Sequence, residues 1–148
     1  VWHHFDVLKD VVAERRGAMV KTIGDAIMAA FMDPTDAVLA AVDLHARLAP
    51  HLRGAGHDYP AALKVGMHVG PAIAVTLNER LDYFGSTVNL AARVEGHSVG
   101  DDIVLSAPTA AESGALALLG PLGWVAESFA GKAKGFAEPV PMVRFRRG

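Results

Sequence analysis

Two charged side chains interrupt an apolar stretch near the start of the chain. Residues 19–31 read MVKTIGDAIMAAF, which predicts two short strands joined at a tight turn of Gly24 and Asp25. Lys21 then lies inside the first strand and Asp25 at the bend. A buried ammonium needs a partner, so Lys21 either reaches solvent or meets a ligand or a counter-charge. The pattern alone leaves both possibilities open.

More side chains suited to a nucleotide follow later in the chain. Asp82 precedes an aromatic pair, and Asn89 and Arg93 lie four apart on a helix predicted over 86–95, so both project from one face. Lys134 lies in a lysine-containing loop between glycines. Carboxylates that meet substrate phosphates suit Mg²⁺, and arginine and lysine suit polyphosphate. Together these residues predict a metal-assisted nucleotide site.

The composition excludes several other classes of protein. The 148 residues are 51% hydrophobic and 20% charged, which predicts one folded domain. A net charge of −2 gives no general attraction for nucleic acid or an anionic membrane. The chain has no cysteine, hence no disulfide and no thiol nucleophile, and no apolar run approaches the roughly 18 residues of a membrane span. Walker and dinucleotide glycine motifs are also absent from the sequence.

The periodicity predicts helices interleaved with hairpins. The predicted helices cover 2–15, 34 to just before Pro50, 86–95 and 108–113, and the predicted strands cover 19–23, 27–31, 62–69, 72–77, 82–84, 102–105, 124–129 and 140–145. Asp33 is the expected N-cap of the second helix, and Ser106 that of the fourth. Hairpins outnumber parallel crossovers, which favours an α+β fold with helices on one face of a largely antiparallel sheet.

Two histidines are interpreted as packing residues, not as ligands or catalytic groups. His45 falls on a helix and His68 in a strand, where a packed side chain is the more common role. His97, Asp101 and Asp102 follow the predicted helix at 86–95 and are interpreted as loop residues.

Four segments, in order, resemble the catalytic domain of the class III nucleotidyl cyclases. They read VKTIGDAIMAAF, LKVGMHVGPAIA, LDYFGSTVNLAARVEG and AKGFAEPV. The resemblance covers nearly all of residues 1–148 and implies one catalytic domain with a ferredoxin-like, palm-type sheet. It implies an adenylyl cyclase, a lyase that converts ATP to 3′,5′-cyclic AMP and pyrophosphate by attack of the ribose 3′ oxygen on the α-phosphorus.

The resemblance also implies a role for each candidate residue. Asp25 takes the position of an aspartate that binds two divalent metal ions, Mg²⁺ or Mn²⁺. Lys21 and Asp82 take the positions that contact adenine; guanylyl-specific relatives typically have glutamate in place of this lysine.

The remaining roles concern the ribose and the phosphates. Asn89 corresponds to the asparagine that orients the ribose, and Arg93 to the arginine that stabilises the transition state. Lys134 fits the position of the lysine that contacts the triphosphate better than Lys132 does.

The family places its sites between two catalytic domains, so the resemblance implies a homodimer with ATP as substrate. For this segment we expect no contact with nucleic acid and none with a membrane. We expect the domain to be cytoplasmic, either alone or as part of a larger protein. The family's first metal aspartate lies upstream of the opening helix, and these residues contain no counterpart. We therefore expect a sheet that lacks its N-terminal strand and a fragment that is weakly active or inactive alone.

Two other readings remain open from the sequence. A non-catalytic nucleotide-binding or dimerisation module that regulates a partner domain would explain the missing aspartate. A guanylyl cyclase would share most of the same motifs, although Lys21 and Asp82 favour adenine over guanine.

Overall fold

The computed structural model describes residues 2–23, 26–54, 63–70, 73–77, 80–132 and 135–148. The helices in this part of the chain are α1 (Trp2–Glu14), α2 (Pro34–Gly54), α3 (Ser86–Gly96), α4 (Ala107–Ser113) and α5 (Ala115–Leu119), followed by a 3-10 turn at Gly120–Leu122. The strands are β1 (Gly17–Ile23), β2 (Ala26–Phe31), β3 (Gly66–Met67), β4 (Ile73–Leu77), β5 (Arg80–Phe84), β6 (Asp102–Ser106), β7 (Trp124–Gly131) and β8 (Val140–Arg147).

The described strands form three separate hydrogen-bonded pieces. A four-stranded sheet has the order β3-β6-β8-β7, and the antiparallel hairpins β1-β2 and β4-β5 form the other two pieces. Only β3 pairs in parallel, with β6; the other pairings are antiparallel. This confirms the α+β class and the mostly antiparallel strands. The absence of an N-terminal strand remains a prediction.

Strand β6 lies between two apolar cores, because alternate side chains of a strand point to opposite faces. Ile103 and Leu105 join a cluster with residues from α2, α5 and β8. Val104, on the opposite face, packs with Leu90 and Val94 of α3. Helices therefore cover both faces of the sheet, and the expectation of helices on one face was wrong. In a strand that is buried on both faces, alternation does not reveal which face meets which helix.

Helices α1 and α2 pack together and contact the first hairpin. Arg15 bonds Asp43 at 2.7 Å, and Arg47 bonds Glu14 at 2.7 Å, so charges on both helices are paired. Pairs as exposed as these contribute little to stability and chiefly fix the relative position of the helices.

Several helix and strand boundaries differ from those predicted. Helix α2 begins as expected, with the Thr35 amide donating to Asp33 Oδ1 at 2.9 Å, but it continues through Pro50 to Gly54. Proline lacks the amide hydrogen, so α2 continues past Pro50 with one backbone hydrogen bond fewer. The predicted strand over 62–69 shortens to Gly66–Met67, although a hydrogen bond from Val104 N to Val65 O extends its alignment with β6. The C-terminal antiparallel pair is confirmed and is longer than predicted.

No helix in the described segments has both the length and the apolar character needed to cross a bilayer.

Gly66 lets α3 approach the backbone of β3. A Cβ added at Gly66 would lie 2.2 Å from Glu95 N and 2.3 Å from Glu95 Cα, far inside contact distance. Both obstructing atoms are backbone, so a side chain could fit only if the helix moved. The identity of residue 66 therefore determines how closely α3 lies on the sheet.

We predict that Gly66→Ala lowers the free energy of unfolding by about 1–3 kcal/mol, the usual cost of overpacking. Chemical denaturation monitored by circular dichroism would measure it. Gly96→Ala is the matched control, because nothing lies within 4 Å of the added methyl group. The control should change stability by less than about 1 kcal/mol. Equal effects of the two substitutions would contradict this account of the helix–sheet contact.

Candidate active site

Helix α3 carries two of the predicted site residues on one exposed face. Leu90 and Val94 are buried against the sheet, whereas Asn89 and Arg93 are exposed. Residues four apart lie one above the other, about 6 Å along the helix axis. The structure therefore brings Asn89 and Arg93 together, and the buried pair makes this stripe face outward.

Two glycines set where α3 begins. Gly85 is the N-cap residue and has φ 123°, a backbone conformation that favours glycine. As a glycine, Gly85 gives the helix no side-chain cap. Gly70 leaves room for Thr87, whose Oγ1 would lie 2.7 Å from a Cβ at position 70. Backbone shape thus positions the start of the helix.

The first hairpin contains a bulge next to Lys21. Met19 pairs with Ala29 and Lys21 with Met28, so Val20 is an extra residue on β1. Opposed residues share a face, and consecutive residues of β2 alternate, so the bulge places Lys21 on the opposite face from Met19. Simple alternation would have placed the two side chains together. The Lys21 side chain is exposed.

The turn aspartate lies just outside the described residues. Ile23 pairs with Ala26, which confirms the predicted hairpin and leaves a two-residue connection. Gly24 and Asp25 lie between those two residues in the sequence, outside the part of the chain that the structure describes. Lys134 is likewise outside the described residues, two positions beyond Lys132.

The strand that carries Asp82 lies beside the strand that carries Lys21. Asp82 is opposite Val75 in the β4-β5 hairpin. Cα atoms of β5 lie within 8 Å of β1 and also of α3. The Asp82 side chain is outside what the structure describes. The backbone nevertheless places β5 next to both elements that carry exposed candidate residues.

A buried ion pair holds the segment that follows α3. Asp102 is fully buried, and its Oδ2 accepts hydrogen bonds from Arg144 Nε at 3.1 Å and from Val99 N at 3.0 Å. Its Oδ1 accepts from the Ser98 hydroxyl. We call Ser98, Asp102 and Arg144 the α3 anchor. Asp102 begins β6, which agrees with the strand predicted over 102–105 and not with the interpretation of Asp102 as a loop residue; it meets its arginine only through β-sheet pairing.

Histidine 97 was also interpreted as a loop residue. It is the C-cap residue of α3, and its carbonyl accepts a hydrogen bond of 2.6 Å from Arg144 Nη2. The Arg144 guanidinium carbon also lies 4.5 Å from the Phe129 ring centroid. In the sequence, only one feature indicated that His97 belongs to α3: it lies four residues after Arg93, which extends the polar stripe by one turn.

Two other histidines are packed, in agreement with the structural interpretation. His45 Nε2 donates to the Asp102 carbonyl at 2.9 Å, and burial lowers the pKa of His45. His68 Nδ1 lies 2.7 Å from Ser106 Oγ, and burial also lowers the pKa of His68. The Ser106 hydroxyl meets His68 and Thr109 and does not cap α4, although Ser106 occupies the N-cap position.

In the ranges that the structure describes, no three histidine, aspartate or glutamate side chains converge as a metal site. Asp25 lies outside those ranges, and its carboxylate has the oxygen chemistry that Mg²⁺ prefers.

Comparisons with known proteins define the family. A sequence model of the adenylate and guanylate cyclase catalytic domain matches residues 1–115. The chain therefore belongs to this family, as the motifs indicated.

Individual relatives agree with this assignment. The chain is 36% identical over 98 residues to an uncharacterized protein of Mycobacterium tuberculosis, covering 66% of this chain and 23% of that protein. It is 30% identical over 128 residues to an adenylate cyclase of Lachancea kluyveri, covering 74% of this chain and 7% of that protein. The chain thus spans less than a quarter of either relative's length.

The fold agrees as well. A crystal structure of an adenylate/guanylate cyclase/hydrolase from Silicibacter pomeroyi superposes with a TM-score of 0.77 at 20% identity. The match covers 98% of this chain and 81% of that one. This confirms the cyclase catalytic-domain fold.

We predict that Asp102→Ala lowers the free energy of unfolding by about 3–5 kcal/mol, because it leaves Arg144 without its carboxylate in a buried place. Thermal and chemical unfolding would measure the loss. Asp101→Asn is the matched control: Asp101 is exposed at φ 57°, which asparagine tolerates. It should change stability by about 0.5 kcal/mol or less. A loss of stability in Asp102→Ala as small as that of the control would contradict the stabilising role of the α3 anchor.

Proposed function

We propose that this chain is an adenylyl cyclase catalytic domain, which forms 3′,5′-cyclic AMP and pyrophosphate from ATP. The observation that carries the proposal is the exposed pairing of Asn89 and Arg93 on α3. That helix borders β5, which in turn borders β1. The arrangement supports a nucleotide site assembled from residues far apart in the sequence.

Lys21 and Asp82 are assigned to the purine. An ammonium donates and a carboxylate accepts, so the pair can bind the amino group and a ring nitrogen of adenine. The adjacency of β1 and β5 and the exposure of Lys21 support this role. Guanine, with a carbonyl oxygen at the corresponding position, would need a different set of donors and acceptors.

Asp25 is assigned to the divalent metal ions, Mg²⁺ or Mn²⁺. When bound, such ions lower the charge on the phosphates and favour ionisation of the ribose hydroxyl. The support is the chemistry of an aspartate on a two-residue turn, next to the strand that carries Lys21.

The residues of α3 and Lys134 are assigned to the sugar and the phosphates. Asn89 orients the ribose so that its 3′ oxygen is in line with the α-phosphorus. A bond forms between these atoms, the bond from the α-phosphorus to the bridging oxygen breaks, and pyrophosphate leaves. Arg93 neutralises the charge that develops on the phosphate oxygens. Lys134 holds the triphosphate.

Two copies of the domain are proposed to share each site. Asp25 of one subunit would act on a nucleotide whose adenine, ribose and transition-state contacts come from the other subunit. Each chain carries both sets of residues, so a symmetric homodimer would contain two sites.

The first experiment compares substrates. The complete protein should convert ATP to cyclic AMP with a higher kcat/KM than it shows for GTP. Arg93→Ala should lower kcat by about 10²–10³, the usual cost of losing a charged transition-state contact. Arg146→Ala, which removes an exposed arginine of β8, is the matched control and should retain activity. A preference for GTP would identify a guanylyl cyclase, and ATP binding without turnover would identify a regulatory module.

The second experiment tests the shared site by complementation. Asp25→Ala and Arg93→Ala should each be nearly inactive, because every site in either homodimer lacks one residue. Mixing the two variants should restore activity in heterodimers, where one of the two sites is intact. Unmixed samples of each variant at the same total concentration are the control. Heterodimers confirmed by differential tags but without recovered activity would contradict the shared site.

A further inference from the structure

We propose that His97 is a positioning residue for Arg93. In this role, His97 fixes the last turn of α3 to the end of β7. The inference rests on the proposed function of Arg93. It adds a residue to which neither the sequence motifs nor the comparisons give a role.

His97 extends the stripe of Asn89 and Arg93. The three residues are spaced by four, and His97 keeps near-helical dihedrals, with φ −87° and ψ −8°. Its side chain therefore leaves the helix on the same side as that of Arg93, one turn further on. The contacts of the His97 imidazole therefore fix the direction in which this face of α3 is presented.

The imidazole binds the end of β7. His97 Nε2 donates to the carbonyl of Lys132 at 2.7 Å, and the ring meets Phe129 edge-on with centroids 6.0 Å apart. Gly131 makes this contact possible, since a Cβ there would lie 2.8 Å from Nε2 and 2.9 Å from Cε1 of the ring. One hydrogen bond and one glycine thus join α3 to β7.

The backbone of the same residue is held from the other side. Arg144 Nη2 donates to the His97 carbonyl while its Nε bonds the buried Asp102. Carbonyls at the end of a helix need such donors, and a cation is favourable there. His97 is therefore fixed through both its backbone and its side chain. The α3 anchor sets the position of the helix end, and the imidazole sets its rotation.

A fixed helix end matters because Arg93 has to meet charge that exists only in the transition state. A displacement of about 1 Å can cost up to about 10²-fold in rate. Loss of the imidazole contact should therefore lower kcat and leave KM nearly unchanged. A residue that served only stability would not show this division at temperatures well below unfolding.

The test is a double-mutant cycle in the complete protein. His97→Ala should lower kcat by about tenfold or more and change KM by less than about twofold. The same substitution in an Arg93→Ala background should have almost no further effect, because no arginine remains to be positioned. Val99→Ala is the matched control; its side chain is 65% exposed on the loop after α3, and kcat should not change.

Either of two results would overturn the proposal: an unchanged kcat in His97→Ala, or the same fold-loss with and without Arg93. If His97→Ala does not fold, Gly131→Ala displaces the ring from the opposite side and enters the same cycle. Failure of this proposal can be distinguished from failure of the proposed function. Full activity of Arg93→Ala would refute the role of Arg93 itself, whatever His97 does.

Discussion

The close contact of α3 with the sheet at Gly66 is the constraint on which the site depends. Backbone meets backbone there, so the helix cannot move closer, and Leu90 and Val94 prevent it from moving away. Once that face is buried, the opposite stripe must be exposed. The chemistry proposed for Asn89 and Arg93 thus follows from packing two turns of helix onto β3 and β6.

Much of this arrangement could be predicted from the sequence because it is local. The spacing of Asn89 and Arg93, the two-residue turn at positions 24–25 and the Asp33 cap each depend on a few neighbouring residues. Helical period, turn chemistry and capping act over one or two turns of chain. The family resemblance then supplied the residue roles, which no periodicity could have given.

What the sequence did not reveal depends on pairing between distant segments. Asp102 meets Arg144 only because β6 pairs with β8, 42 residues further along. Val20 is a bulge only in relation to its partner strand, so the face of Lys21 could not be inferred from alternation. Helices lie on both faces of the sheet because β6 is fully buried, and its central apolar residues, Ile103 to Leu105, fit either face.

The residues proposed to contact the purine and those proposed to contact the sugar and phosphates lie on different parts of the fold. Lys21 and Asp82 lie on two hairpins that, among the described residues, share no ladder with the four-stranded sheet, whereas α3 lies directly on that sheet. Lys21 is exposed and does not belong to either of the two buried clusters, so substitutions of Lys21 cost little packing energy. Substitutions that displace Arg93 must disturb the contacts around Gly66 or the α3 anchor. Under the proposed function, base preference can thus change by substitution of Lys21, while the placement of Arg93 remains tied to the stability of the fold.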